Sequence, residues 1–309
     1  MQLTSLSSRF DYNTASRQTH WNLWEREDGQ GLLELGFYRG LYNVFQRTLE
    51  AFPSVWIEGC ASGGRMIDLG SLSRTMSHWS NDDSVSDDRN RRFRLGANHF
   101  LPTHYIQNAF LPVGLGALPP GVLEPVTGPL EIDPQRLLTY FNGALQFGQG
   151  LGFWSNPSLA AAAEMVSLYK TTRHFMDPIC CNYYRLFEGP TLAVPQPPRH
   201  LPNPPTNLTG MHVGWVFEDA AKRAGIMYVM AQQTAPSTTV EVALSSAAGW
   251  PDDTPAPGVV REAPAAQPAF TLLAGATGTQ VTMAGTPSAP KVLVAFSAVN
   301  SQALLSYTY

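Results

Sequence analysis

The sequence predicts an α/β unit of the barrel type followed by an antiparallel β-sandwich, and three observations carry that reading. Short apolar runs near the N-terminus and between residues 55 and 84 stop abruptly in turns rich in carboxylates and glycines. Parallel strands buried on both faces are apolar along their length and meet a ligand only past their C-terminal ends, which is this pattern. Residues 188–206, EGPTLAVPQPPRHLPNPPT, hold too much proline to sustain helix or sheet and mark a boundary. Beyond them the chain changes to short strand-like runs, HVGWVFE, GIMYVMAQ, TTVEVAL, AFTLLAG, TQVTMAG, KVLVAFSAV and ALLSYTY, separated by glycine and proline as the strands of a sandwich are.

Each element of the first unit has a local reason. Residues Leu6 to Phe10 read as a strand that ends in a turn at Asp11 to Asn13. A polar loop over 17–30 carries Trp21 and Trp24, in a position to lie over the strand tips or to join the core. From Leu32 to Phe52 the apolar groups Leu35, Tyr38, Leu41, Tyr42, Phe45 and Leu49 recur at helical spacing, and Pro53 ends the helix. Val55 to Ile57 form the next strand, giving strand, helix, strand, the unit that builds a parallel sheet. Gly59 to Gly64 follow, and such small residues serve either a tight turn or the close approach of a ligand to backbone amides. Arg65 to Met76 reads as a short helix or turn, and Ser77 to Ser80 as a strand closing on Asn81, Asp82 and Asp83. The mixed run from Asp87 to Arg94 predicts a solvated helix face with local ion pairs. Residues Asn98 to Asn108 read as a strand entering a loop, with His104, Gln107 and Asn108 as rim contacts, before a Pro- and Gly-rich loop over 111–130. Asp133 is an N-cap with Pro134 at the first helical position, and Pro157 opens a further helix to about Phe175.

Composition narrows the function classes. The 309 residues leave room for two domains, and only 14% of them are charged. A net charge of -4 gives no basis for binding nucleic acid or an anionic membrane. No run is long and apolar enough for a bilayer span or an N-terminal signal, and the compartment, cytoplasmic or secreted, stays open. Three cysteines, Cys60, Cys180 and Cys181, cannot build a disulfide framework, and the seven histidines form no HExxH or HxH pattern. No metal motif and no cofactor are expected. What remains is a pair of carboxylates on separate strand tips, Asp11 and the Asp82–Asp83 pair, able to face one another across a substrate as glycosidic bond cleavage requires.

The turns together resemble the melibiase-type α-galactosidases, family 36 of the glycoside hydrolases. That family carries a K-W-D-x-N motif, an E-G-C-x-S-G-G segment and a W-x-S-D-[ND]-[ST] segment on successive barrel strands. Here they stand as Arg9-Phe10-Asp11-Tyr12-Asn13, Glu58-Gly59-Cys60-Ala61-Ser62-Gly63-Gly64 and Trp79-Ser80-Asn81-Asp82-Asp83-Ser84. The resemblance covers roughly residues 5–187. It implies that the first unit is the C-terminal half of a (β/α)8 barrel, truncated before the nucleophile strand, with domains over 1–190 and 207–309 and a Pro-rich linker over 191–206. It implies Asp11 as nucleophile and Asp82 as acid/base, with Asp83 competing for that role, in a retaining double displacement. Arg9, Asn13, Cys60, Ser62, Gly63, Gly64 and Trp79 would bind the sugar. Arg9 replaces the family's lysine and Asn81 its serine. The expected partners are α-galactoside oligosaccharides or glycoconjugates, together with a second copy or another chain to complete the barrel if the sequence is not a fragment. A raffinose-synthase-like galactosyl transferase, a non-catalytic carbohydrate-binding or assembly protein, and a thiol hydrolase using Cys60 remain as alternatives.

Overall fold

A computed structural model describes residues 7–11, 23–25, 29, 31–61, 63–64, 66–80, 87–110, 129–141, 143–147, 151–177, 179–186, 212–231, 238–243, 269–286, 289–298 and 301–308. The expected loop over 111–130 falls almost entirely outside them, as does the linker over 191–206.

Five strands form a parallel sheet in sequence order: β1 (Ser7–Asp11), β2 (Trp56–Cys60), β3 (Ser77–Trp79), β4 (Ile106–Phe110) and β5 (Ala144–Phe147). Helix α1 (Leu32–Ala51) joins β1 to β2 and buries Leu41 and Phe45. With Val55, Ile57, Ala61 and Met66 these make a core against which Phe10 packs, its ring meeting Phe45 edge-on at 4.8 Å. Leu35, expected in the same stripe, is 55% exposed. Because strand side chains alternate, burying Phe10 and Ile57 against α1 turns Arg9, Asp11, Glu58 and Cys60 to the opposite face. The short α2 (Leu69–Leu72) is started by Asp68, whose carboxylate accepts from the Ser71 N–H at 3.0 Å.

Helix α3 (Asp87–Ala97) corrects one expectation. It is a helix, but Asn90, Arg91 and Arg94 on it are buried, not solvated. Asn90 donates to the Tyr140 hydroxyl and Arg91 to the Thr139 hydroxyl, both at 3.1 Å, so the charge run docks on α4 (Pro134–Thr139). An ion pair from Arg136 to Asp87 at 2.9 Å closes the same interface. Helix α4 begins at the expected cap, Asp133 accepting from the Gln135 N–H at 2.9 Å. Helix α5 (Asn156–Thr172) has Pro157 in its first turn and Ser155 as its cap, and a 3-10 turn from Arg173 to Met176 extends it.

The seven C-terminal runs are strands β7 (His212–Asp219) to β13 (Ser301–Thr308), all antiparallel where paired. One sheet has the order β10 (Ala269–Gly275), β13, β8 (Ala224–Ala231), β7, β6, where β6 (Asn182–Arg185) comes from the N-terminal side of the proline-rich stretch. The other has the order β11 (Gln280–Thr286), β12 (Ala289–Ala295), β9 (Thr239–Ala243). Strands β7 and β8 are buried at almost every position, instead of at alternate ones, because both faces of their sheet are covered. Val216, Met227, Val229 and Leu305 face the three-stranded sheet through Val240, Val242, Val292 and Val294. Trp215, Phe217, Tyr228 and Met230 face Leu137, Leu138, Phe141 and Met165 of the α/β unit and the turn after α4.

Candidate active site

The β1–β2 register sets the site. Arg9 stands beside Glu58, Phe10 beside Gly59 and Asp11 beside Cys60, all five β1 residues being paired in parallel with β2. The face turned away from α1 therefore gathers Arg9, Asp11, Glu58 and Cys60 at one end of the sheet. Arg9 is the hub. One guanidinium nitrogen lies 3.3 Å from the Asp11 carboxylate and 3.2 Å from the Cys60 sulfur, and the other lies 3.1 Å from Glu58. Its plane also sits 4.6 Å from the centre of the Trp79 ring, at the end of β3. Burial opposes the Arg9 charge, but Cys60, Glu58 and Asp11 outweigh it and hold the guanidinium above its ordinary pKa. Arg9 and Asp11 have side chains 38% and 40% exposed, so the hub opens to solvent.

Cys60 is buried and touches Trp79. Burial pushes its thiol up to about 11, with the Gly63 amide and Arg9 acting in the other direction. At neutral pH it is a thiol that fills space and accepts hydrogen bonds, not a thiolate nucleophile.

The glycines serve the packing of the strand tips. A side chain at Gly59 would meet the His78 ring at 2.6 Å, and one at Gly64 would lie 2.3 Å from the Ser80 carbonyl oxygen. Gly63 and Gly64 have φ of 67° and 94°, which glycine adopts without strain. Gly63 and Gly64 sit in the turn after β2, whereas Gly59 lies within the strand, where the His78 ring leaves no room for a side chain.

Behind the hub a polar row crosses the sheet. Gln107 on β4 donates to Glu58 at 3.0 Å and to Gln146 on β5 at 2.6 Å, and it accepts from Ser77 on β3 at 2.6 Å. Gln107 is thus an interior strut instead of a rim contact. Glu58 enters the site as well, although sequence reasoning assigned it no role. Its signal was a carboxylate inside an otherwise apolar strand, which a buried position tolerates only with a partner.

Asn13, Ser62, Asp82 and Asp83 lie outside the described residues, as does the side chain of Asn108. Trp79 and Ser80 lead to Asp82, and the Ser80 N–H donates to the Gln107 carbonyl at 3.0 Å. Parallel strands end on one edge of a sheet, so β3 leaves it on the side where Asp11 ends β1.

The melibiase family model matches residues 8–176. The chain is 40% identical over 57 residues to alpha-galactosidase 2 of Hypocrea jecorina, a match covering 18% of this chain and 8% of that protein. It is 24% identical over 140 residues to the bifunctional alpha-galactosidase/sucrose kinase AgaSK of Mediterraneibacter gnavus, covering 45% and 14% respectively. Among solved structures, the galactosidase domain of alpha-galactosidase-sucrose kinase aligns with a TM-score of 0.62 at 16% identity, over 98% of this chain and 34% of that one. A variant of the GH36 alpha-galactosidase AgaA from Geobacillus stearothermophilus, in complex with raffinose, aligns with a TM-score of 0.58 at 13% identity, over 98% and 35%. At these identities the likeness to the solved structures is one of fold, and this chain spans about a third of their length.

Proposed function

The chain belongs to the melibiase family, the match covering more than half of its residues, and on that premise we propose that it carries the catalytic residues of a retaining α-galactosidase. In this reading Asp11 attacks the anomeric carbon of a terminal α-galactosyl group, and Asp82 first protonates the departing oxygen and then deprotonates the water that releases galactose. Asp83 is the alternative acid/base. The observation that carries the reading is the Arg9 hub, which sets Asp11 at the open end of β1 against Cys60, Glu58 and Trp79.

The neighbouring groups suit that chemistry. The Arg9 guanidinium, 3.3 Å from Asp11, holds that carboxylate at the open end of β1. A retaining mechanism places the two carboxyl groups ~5–5.5 Å apart. Such a mechanism uses one carboxylate as the nucleophile and the other, protonated, carboxyl group as the acid of the first step. Trp79, Asn13, Ser62 and the Gly63–Gly64 backbone would line the sugar, with Arg9 and Cys60 beside the nucleophile. Residues 1–190, 191–206 and 207–309 serve in this proposal as partial barrel, linker and sandwich. Galacto-oligosaccharides, the class to which the raffinose bound by the Geobacillus relative belongs, are the proposed substrates. No helix among the described residues is long and apolar enough to cross a membrane.

The test is hydrolysis of an aryl α-galactoside by the purified 309-residue chain and by its Asp11→Ala and Asp82→Ala variants. Loss of at least about a thousandfold in kcat is expected for Asp11→Ala, with azide restoring turnover to a galactosyl azide of inverted configuration. Hydrolysis that survives Asp11→Ala overturns the assignment. Galactose binding with no hydrolysis by the parent chain points instead to a carbohydrate-binding protein.

A further inference from the structure

Away from the sugar site, three ligand-type side chains meet where the α/β unit joins the antiparallel sheet. Cys180 and Cys181 occupy the turn before β6, and Asp219 ends β7. Strand β6 pairs with β7 so that Asn182 faces Glu218, and one step further along this register brings Cys181 opposite Asp219. The two sulfurs are 3.2 Å apart, and one donor atom from each of the three residues lies within 4.8 Å of the others. The Asp219 side chain is only 3% exposed, and its occupant is already a cation, the Lys222 ammonium at 2.8 Å. Lys222 is itself 65% exposed, so it can swing into water. Cys181 also lines a cleft of about 390 Å³ with Asn98, His99 and Tyr183, which gives an ion a way in.

We propose that Cys180, Cys181 and Asp219 form a binding site for a thiophilic divalent cation of the zinc type, clamping the turn before β6 to the end of β7. Two thiolates and one carboxylate are a donor set that zinc accepts, with a fourth position left for water or for the His174 carbonyl, which both thiols already approach at 3.8 and 3.5 Å. Two sulfurs bound tetrahedrally at ~2.3 Å sit about 3.8 Å apart, so the pair has only to open slightly. On binding, the ion takes one electron pair from each sulfur and one from the carboxylate. The two thiol protons leave to solvent, and Lys222 departs still protonated. The bound set carries one net negative charge, which the displaced ammonium can neutralise from outside. This site is independent of the glycosidase reading.

Cobalt(II) titration of the reduced, chelator-treated full chain tests it. The expected result is a saturable one-ion signal with a sulfur-to-cobalt charge-transfer band and tetrahedral d–d bands, abolished by equimolar zinc, with about two protons released per ion. Cys180→Ser and Cys181→Ser should each weaken binding at least about tenfold and diminish the band, and Asp219→Asn should weaken binding similarly while keeping both thiols. No thiolate band in the parent chain overturns the proposal. So does a band of unchanged strength and affinity in the Cys180→Ser/Cys181→Ser double variant or in Asp219→Asn. If the double variant does not fold, the parent titration and Asp219→Asn decide.

Discussion

Gly64 ties the backbone of one strand tip to the next. Its φ of 94° and the Ser80 carbonyl 2.3 Å from where a Cβ would stand leave no room for a side chain. Gly64→Ala should therefore lower the stability by more than about 1 kcal/mol, read as a drop in Tm, and, under the proposed function, should reduce hydrolysis of an aryl α-galactoside. A Tm within error of the parent would show that the turn can relax. The sequence displayed Gly63 and Gly64 as small residues after a strand but not the carbonyl that makes one of them obligatory, because that contact is between strands. His78 is a second case. It is buried with its ring against Gly59, and burial holds its pKa below the ordinary 6.5, with hydrogen bonds to the Trp79 and Met66 backbone only partly offsetting. A group whose folded pKa is depressed and whose neutral form is basic binds fewer protons folded than unfolded. Stability is then full above the unfolded value of about 6.5 and is lost as pH falls from there toward the folded pKa. His78→Asn removes that dependence, so the Tm gap between parent and variant should be constant above about pH 7 and narrow toward about pH 5. A gap that stays constant over this range would refute the account.

At the scale of elements, legibility followed periodicity. Helix α1 and the seven C-terminal strands were readable because their patterns repeat over many residues, and α4 and α5 because Asp133–Pro134 and Pro157 are local signals. Strand β5 was not readable. Its four residues, Ala144 to Phe147, include only one strand-favouring type, Phe147, and pairing with β4 makes them a strand. The charged α3 was read correctly as helix but wrongly as solvated, since a charge run does not reveal that Tyr140 and Thr139 will meet it. Strand β2 runs on through Gly59 and Cys60, because glycine and cysteine read as a turn while the parallel ladder to β1 keeps them extended. The polar row through Gln107 is a consequence of these pairings and could not be seen before the register was known. Gln107→Met keeps the volume and removes three hydrogen bonds, those to Glu58, Gln146 and Ser77. It should cost about 1–3 kcal/mol by leaving buried polar partners unmatched, and it should raise KM for an aryl α-galactoside by loosening Glu58 against Arg9. Unchanged unfolding in denaturant would mean that water replaces the amide.

Over the whole molecule, the two sheets of the C-terminal region and the α/β unit share one load-sharing layer. The sheet containing β7, β8 and β13 is covered on one side by β9 and β12 and on the other by α4 and α5, and Thr139 reaches Gln302 on β13 at 3.2 Å. The parallel sheet, in contrast, ends among the described residues at two edge strands, β1 and β5. On α1, Leu32 and Leu35 are 65% and 55% exposed, and at the start of β2 Trp56 is 47% exposed although its indole N–H donates to Ser77 at 3.0 Å. Exposed apolar side chains of this kind favour association. The purified chain should therefore show a sedimentation coefficient that rises with concentration in the micromolar range. The double variant Leu32→Glu/Leu35→Glu puts two carboxylates on that face without touching the core of α1, so it should shift the population toward monomer while leaving the helical content unchanged by circular dichroism. A parent chain that sediments as a monomer at every concentration would overturn this expectation.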